Sequence, residues 1–425
     1  MASIVTSKFR IHNAQQFYES FSEAANTIMY LFVGKNTAFA NDNSPPTPVN
    51  STANIEYTPW RDMYGVKRIQ SADVTHAIAR YDWTSGTVYT AYDDQDVNIL
   101  TENFYVITED YNVYKCLFNN NGAASTTKPT GTSTARFTTA DGYIWKFIYT
   151  VSTAKALKFL TSDYMPVQTL ASDDGTTQWS VQSAAVDGSI EVIRVTSGGS
   201  GYGSAPSVTI TGDGTGATAN ATISGGAVTA VTITNAGSGY TKASVSFNSG
   251  SAAATAVISP RYGHGSDPIE ELGAKYIMIN VRLDGSESNT ISTANEFRQV
   301  GIVRDPYLYG TTTRATASSY RQTFKYQLSG ISGTFQLDEI VASGANTSTV
   351  VEWDTPNLYV TKPLNQNFAN AASVTGSTST ATGTIAVITT PGLQPYTGDI
   401  LYVENRVPIS RAADQIEDVK LIIQF

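Results

Sequence analysis

Hydrophobic and polar positions along this chain repeat mostly with a two-residue period, which predicts strands. The opening residues 4–9, Ile-Val-Thr-Ser-Lys-Phe, read as a strand. Asn13 then caps a predicted helix with Gln16 three residues on, a capping-box pattern. Ala14, Phe17, Phe21, Ala24 and Ile28 fall on one face of it at three- and four-residue steps. Residues 27–33 are rich in strand formers and stop at Gly34, while Pro45, Pro46, Pro48 and Pro59 make 40–59 a loop. A short helix is predicted over 71–80, with Val74, Ala77 and Ile78 inward. Strands follow at 88–92, 104–107, 111–118 and 143–151, with Asp141-Gly142 as a turn and Ser152 capping a short helix that ends near Leu160.

From about 192 to 259 the chain repeats itself. Gly199-Ser200-Gly201-Tyr202 returns 38 residues later as Gly237-Ser238-Gly239-Tyr240. Each copy carries β-patterned segments before and after this motif, and each ends on Ile-Ser, at Ile223-Ser224 and Ile258-Ser259. Two copies are too few for a solenoid, so a small duplicated β-module is expected. Strands are predicted at 276–283 and 297–303, then at 335–341, 350–353, 358–361 and 384–388 in a second Ser/Thr/Gly-rich module that suits a barrel. The last stretch reads as a strand at 400–403, a charged turn from Glu404 to Pro408, and an apolar strand over 418–425. An apolar end implies burial, and its expected partners are the N-terminal strands at 4–9 and 27–33.

The fold class is therefore mainly β with a few short helices: a discontinuous β-sandwich base domain carrying two small inserted β-modules. The base is assigned to 1–184, 261–314 and 391–425, and the modules to 185–260 and 315–390. Charged residues make up only 15% of the chain, against about 25% in an average soluble protein. Hydroxyl and glycine residues replace them, as turn-rich β surfaces require. A net charge of -9 argues against a phosphate-backbone partner, which needs a basic face. Cys116 is the single cysteine, so no internal disulfide forms. No basic segment precedes an apolar stretch at the N-terminus, so no signal peptide is expected. No apolar run reaches the ~20 residues that span a bilayer, and no membrane insertion is expected.

Chemistry-bearing patterns are few. His12, His76 and His264 lie far apart without ligand-spaced partners, so no metal site is expected. Asp93-Asp94-Gln95-Asp96 lacks the glycine and distal glutamate of a calcium loop and reads as a turn. Gly212-Asp213-Gly214-Thr215-Gly216 precedes a strand pattern and not a helix, so it reads as a hairpin and not a phosphate cradle. Glu270-Glu271 and Asp173-Asp174, as strand neighbours, would point to opposite faces and form no acid/base dyad. Cys116, within Tyr114-Lys115-Cys116-Leu117-Phe118, reads as a small buried hydrophobe. No cofactor, catalytic group or nucleic-acid partner is expected.

Several motifs carry a resemblance. They are Ile4-Val5-Thr6-Ser7-Lys8-Phe9-Arg10, Arg80-Tyr81-Asp82-Trp83, Val113-Tyr114-Lys115-Cys116-Leu117, Asp141-Gly142-Tyr143-Ile144-Trp145 and Phe297-Arg298-Gln299-Val300. The ending adds Tyr402-Val403-Glu404-Asn405-Arg406, Pro408 and Asp414-Gln415. In this order they resemble the baseplate wedge protein of contractile-tailed bacteriophages, the T-even-type component numbered eight, over about 1–182, 275–305 and 396–425. The resemblance implies a β-rich homodimer in a virion tail baseplate, made in the host cytoplasm. It would hold neighbouring wedge proteins and tail-fibre components and shift contacts before sheath contraction. Glu404 and Arg406 are candidate junction contacts, and a plain internal salt bridge is the equal alternative. The competing class is a carbohydrate-binding tail fibre or adhesin, with Tyr202 and Tyr240 as surface aromatics after glycine turns. A glycan-degrading enzyme ranks last.

Overall fold

A computed structural model describes residues 3–23 and 27–425. Strands hold 41% of the residues and helices 12%, so the chain is mainly β. It divides into two compact units: Met1–Gln16, Thr75–Met278 and Ile422–Phe425 form the first, and Phe17–Val74 with Ile279–Leu421 the second.

In the first unit an antiparallel sheet runs in the order Tyr105–Ile107, Asn112–Asn119, Tyr143–Thr150, Phe137–Thr138. Its central strands are buried on both faces, which is why they read as almost continuous apolar runs. Val113, Leu117, Ile148 and Tyr149 feed one core. Tyr114, Cys116, Trp145 and Phe147 feed the other. Ser152 caps the helix Thr153–Phe159 through Lys155 N–H, as expected.

The repeat module is a pseudo-twofold sandwich. Copy one supplies Ile190–Ser197, Val208–Gly212 and Thr218–Ser224, and copy two supplies Ala227–Asn235, Ala243–Phe247 and Ala253–Ile258. The two middle strands pair antiparallel, Val208 with Phe247, Thr209 with Ser246, Ile210 with Val245. In the second sheet the two first strands are neighbours, Ile193 opposite its own repeat equivalent Val231. Each copy's third strand pairs with the other copy's first strand. Neither copy has a complete sheet alone, so two copies close the structure where a solenoid would need a third. The loop 212–216 therefore joins two sheets and is no hairpin. Asp213 in it accepts hydrogen bonds from the Thr241 hydroxyl and from the Thr241 and Lys242 amides, which hold its carboxyl well below the usual range.

In the second unit a five-stranded sheet runs Ser319–Arg321, Met63–Arg68, Met29–Gly34, Phe297–Arg304, Asp399–Ile409. Gly301 is where it is because a Cβ there would collide with Tyr402 O and the Phe32 ring. The predicted barrel is closed by six strands, in the order Phe324–Ser332, Asn357–Val360, Asn346–Asp354, Ile340–Ser343, Ser373–Gly376, Thr382–Thr389. Its core includes Phe324, Tyr326, Val350, Leu358 and Phe368.

Several local expectations fail for identifiable reasons. Residues 4–9 form no strand: Thr6 accepts from Phe9 N–H and opens the helix Ser7–Glu19, so the cap is Thr6 and not Asn13. Ala24, placed on that helix face, lies outside the described residues. Residues 71–80 hold one 3-10 turn, Ser71–Asp73, and then the strand Val74–Ala79. That strand is buried on both faces, so its spacing mimicked a helix. Residues 88–92 form no ladder strand. Residues 335–339 stay irregular ahead of Ile340–Ser343. Glu404 to Pro408 is no turn but part of the edge strand Asp399–Ile409, where a proline removes no ladder bond. The last strand, Ile416–Gln424, does not pair with the N-terminal segments. It runs beside Tyr276–Asp284, with Asp418 3.1 Å from Arg282 and Phe425 N–H donating to Lys275 O.

Candidate functional site

Tyr202 and Tyr240 are buried in the module core, 7% and 5% exposed, which corrects their assignment as surface aromatics. Their roles are reciprocal. Tyr202 Oη donates to Ser249 O and accepts from Ala252 N–H, both in copy two. Tyr240, in copy two, accepts from Ala217 N–H of copy one. The glycine that opens each motif faces the same partner: a Cβ on Gly199 would lie 2.6 Å from Ala252 N, and one on Gly237 2.5 Å from Ala217 N. Both also have positive φ, 62° and 63°, so glycine is required twice over. The repeated Gly-Ser-Gly-Tyr is thus the lock between copies, and the adhesin reading loses the residues that carried it.

The module is fastened at its root. Asp93 pairs with Arg194 at 2.7 Å, and Arg194 also donates to Ala91 O and Tyr92 O. Asp94 accepts from Ile258 N–H. Ser189 and Ser259 bond to each other where the chain enters and leaves, and Asp187 accepts from Tyr262 N–H. The acidic run at 93–96 is therefore a turn, as expected, whose first two carboxylates hold the neighbouring module.

Behind this root lies a buried ionic cluster that sequence reasoning missed. Lys115 Nζ is 2.7 Å from Glu271 Oε1 and 3.0 Å from His264 Nδ1. Glu271 Oε2 accepts from Gly265 N–H at 2.6 Å. The Lys115 ammonium lies 3.4 Å from the centre of the Tyr92 ring, which also meets the His264 ring edge-on. The side chains of Lys115, Glu271 and His264 are 0%, 2% and 2% exposed. Burial raises the Glu271 carboxyl, but the Lys115 charge and the hydrogen bonds outweigh it and bring it to about 2. Burial, then the Lys115 charge, lowers His264, so its ring is neutral. Its Nδ1 lies 3.0 Å from Lys115 Nζ and 3.2 Å from Glu271 Oε1, so it meets the ammonium and the carboxylate together.

Two corrections follow. His264 has a carboxylate partner, seven residues along the chain. Glu270-Glu271 lies on the short helix Pro268–Glu271, where neighbours are about a quarter-turn apart. Glu270 thus meets Lys8 near the surface at 3.5 Å while Glu271 points inward. One signal was present: Lys115 alternates with Val113 and Leu117 on a core-facing side, and a buried lysine demands a carboxylate. Without a solvent-exposed face, the cluster acts as an electrostatic pin between a central strand and the segment after the module.

Glu404 and Arg406 pair with each other on one side of their strand, at 2.7 Å, and Arg406 also donates to Lys420 O at 2.8 Å. Tyr402 Oη donates to Glu404. Both charges are thus used internally. Cys116 is fully buried, and burial pushes its thiol up, away from the reactive thiolate. Among the described residues, no helix is long and apolar enough to cross a membrane. No group of three or more His, Cys, Asp or Glu among them is placed to hold a metal ion. No family model matches this chain, and comparison with curated proteins finds no significant match.

Proposed function

We propose that this chain is a structural subunit of the tail baseplate wedge of a contractile-tailed phage. It pairs with a second copy of itself and contacts neighbouring wedge proteins and fibre components. It passes on the rearrangement that precedes sheath contraction. One observation supports this reading beyond the order of the motifs: segments that carry the resemblance, though distant in sequence, are bonded partners. Cys116 pairs with Trp145 across one sheet, and Gln299 and Val300 pair with Asn405 and Glu404 across another. Trp83 Nε1 donates to Ser125 Oγ, which itself donates to Asp141. A scaffold of mutually paired motifs, with the repeat module and barrel added to it, suits a protein whose work is holding others. Rigid-body exchange of interfaces is the kind of motion it supports.

The test is location. Antibodies to residues 398–425 and to the repeat module are applied to purified tails, intact and partly dissociated, for electron microscopy. A six-fold ring of label at the tail end is expected. Label along distal fibres, or none on any virion particle, overturns the assignment.

A further inference from the structure

Where the edge strand Ser319–Arg321 leads into the barrel, the second unit holds an open groove of about 510 Å³. Strand register builds its wall. Lys325 is opposite Tyr359, and Tyr359 is opposite Glu352, so the three stand in one row across adjacent strands. Arg321 closes the row, its guanidinium 4.2 Å from the Tyr359 ring centre and 3.0 Å from Glu352. Lys325 Nζ also lies over the Tyr359 ring, 5.8 Å from its centre, but two groups lack a polar partner. The Lys325 ammonium and the exposed Asp354 carboxylate have no hydrogen bond or ion pair of their own among the described residues. On the groove floor, Thr323 is 2% exposed and its Oγ1 has no partner.

We propose that this groove binds a neutral saccharide. Two cations, Arg321 and Lys325, face two anions, Glu352 and Asp354, so the groove has no net charge to attract an ionic ligand. What it offers is a dense mix of charged donors, charged acceptors and hydroxyls beside a tyrosine–guanidinium stack. Sugar hydroxyls, each both donor and acceptor, match such a mix, and the apolar face of a pyranose suits the stack. The volume lies within the range of small-ligand sites, about 300–1,000 Å³, and has room for two or three sugar rings. The proposal is independent of the wedge assignment and of the buried tyrosines of the repeat module.

The test uses the full chain on an array of purified bacterial O-chain and capsular polysaccharides, neutral and anionic, with heparin included. Wild type is compared with Lys325→Ala/Asp354→Ala and with Leu157→Ala, a control at an exposed site in the other unit. Lys325 and Asp354 lie on the outside of the barrel wall, so the double variant keeps its fold, as its melting curve will report. The expected result is wild-type binding to at least one neutral polysaccharide, reduced about tenfold or more in the double variant, as loss of charged hydrogen bonds entails. Leu157→Ala binds as wild type. Absence of wild-type binding to every neutral polysaccharide overturns the proposal. So does binding that the double variant retains, or a preference for heparin and the anionic chains.

Discussion

Replacing Glu271 with glutamine tests whether the buried cluster is an electrostatic pin. The amide keeps an acceptor for Gly265 N–H but removes the charge that Lys115 faces at 2.7 Å. Lys115 is then a cation with no exposed surface, left with a neutral imidazole and the Tyr92 ring. Breaking one side of a buried pair costs about 3–5 kcal/mol, mostly because the other charge is stranded. For a folding unit of this size each kcal/mol moves the melting temperature by roughly 2–4 °C, so the transition of the first unit falls by about 6–20 °C. Adding Lys115→Met removes the stranded charge and recovers most of the loss, since an apolar replacement of a buried pair is often close to neutral. Calorimetry on the four proteins of this cycle reads the coupling directly. Additive single effects, or a loss below about 1 kcal/mol for Glu271→Gln, would refute the pin, because a stranded buried charge cannot be that cheap.

Three further outcomes are expected. Tyr202→Phe and Tyr240→Phe each leave a backbone amide of the opposite copy without its acceptor, at a cost of about 1–3 kcal/mol in denaturant unfolding; Tyr202→Phe costs more because its hydroxyl has two partners, and an unchanged midpoint for both would refute the reciprocal lock. Gly301→Ala drives a Cβ into Tyr402 O and the Phe32 ring and destabilises the five-stranded sheet by about 1–3 kcal/mol or more; a neutral melting point would show that the close approach is not real. On acidification, stability falls in two stages. His76 is lowered from 6.5 to about 4 by burial, then by Lys155, and His264 is lowered too. A depressed histidine means that the unfolded chain takes the proton first, so stability is lost as pH falls from about 6.5 towards 4, on the order of 3 kcal/mol from His76. Glu271, depressed from 4.5 to about 2, contributes in full above pH 4.5 and loses that contribution as pH falls towards 2. Urea midpoints measured from pH 7 to 3 check this, and a rise in stability between pH 6.5 and 4.5 would contradict it.

Local rules in the sequence decided much of this protein. Apolar, strand-forming runs bounded by turn residues placed the strands at Asn112–Asn119, Tyr143–Thr150 and Phe297–Arg304, and Ser152 announced its helix. The 38-residue offset between the two Gly-Ser-Gly-Tyr motifs marked the duplicated module, and the second Ser/Thr/Gly-rich stretch suited a barrel. Tertiary structure decided whatever depended on the environment of a residue. Val74–Ala79 is a strand because it is buried on both sides, and burial on both sides erases the two-residue period that would have identified it. The repeat tyrosines are a lock and not a binding surface because each copy lends its third strand to the other, an exchange that no single copy's pattern records. Lys115, Glu271 and His264 meet only because the chain returns from the module beside a central strand. A charge pair of that kind is set by distance in space, and sequence spacing is blind to it.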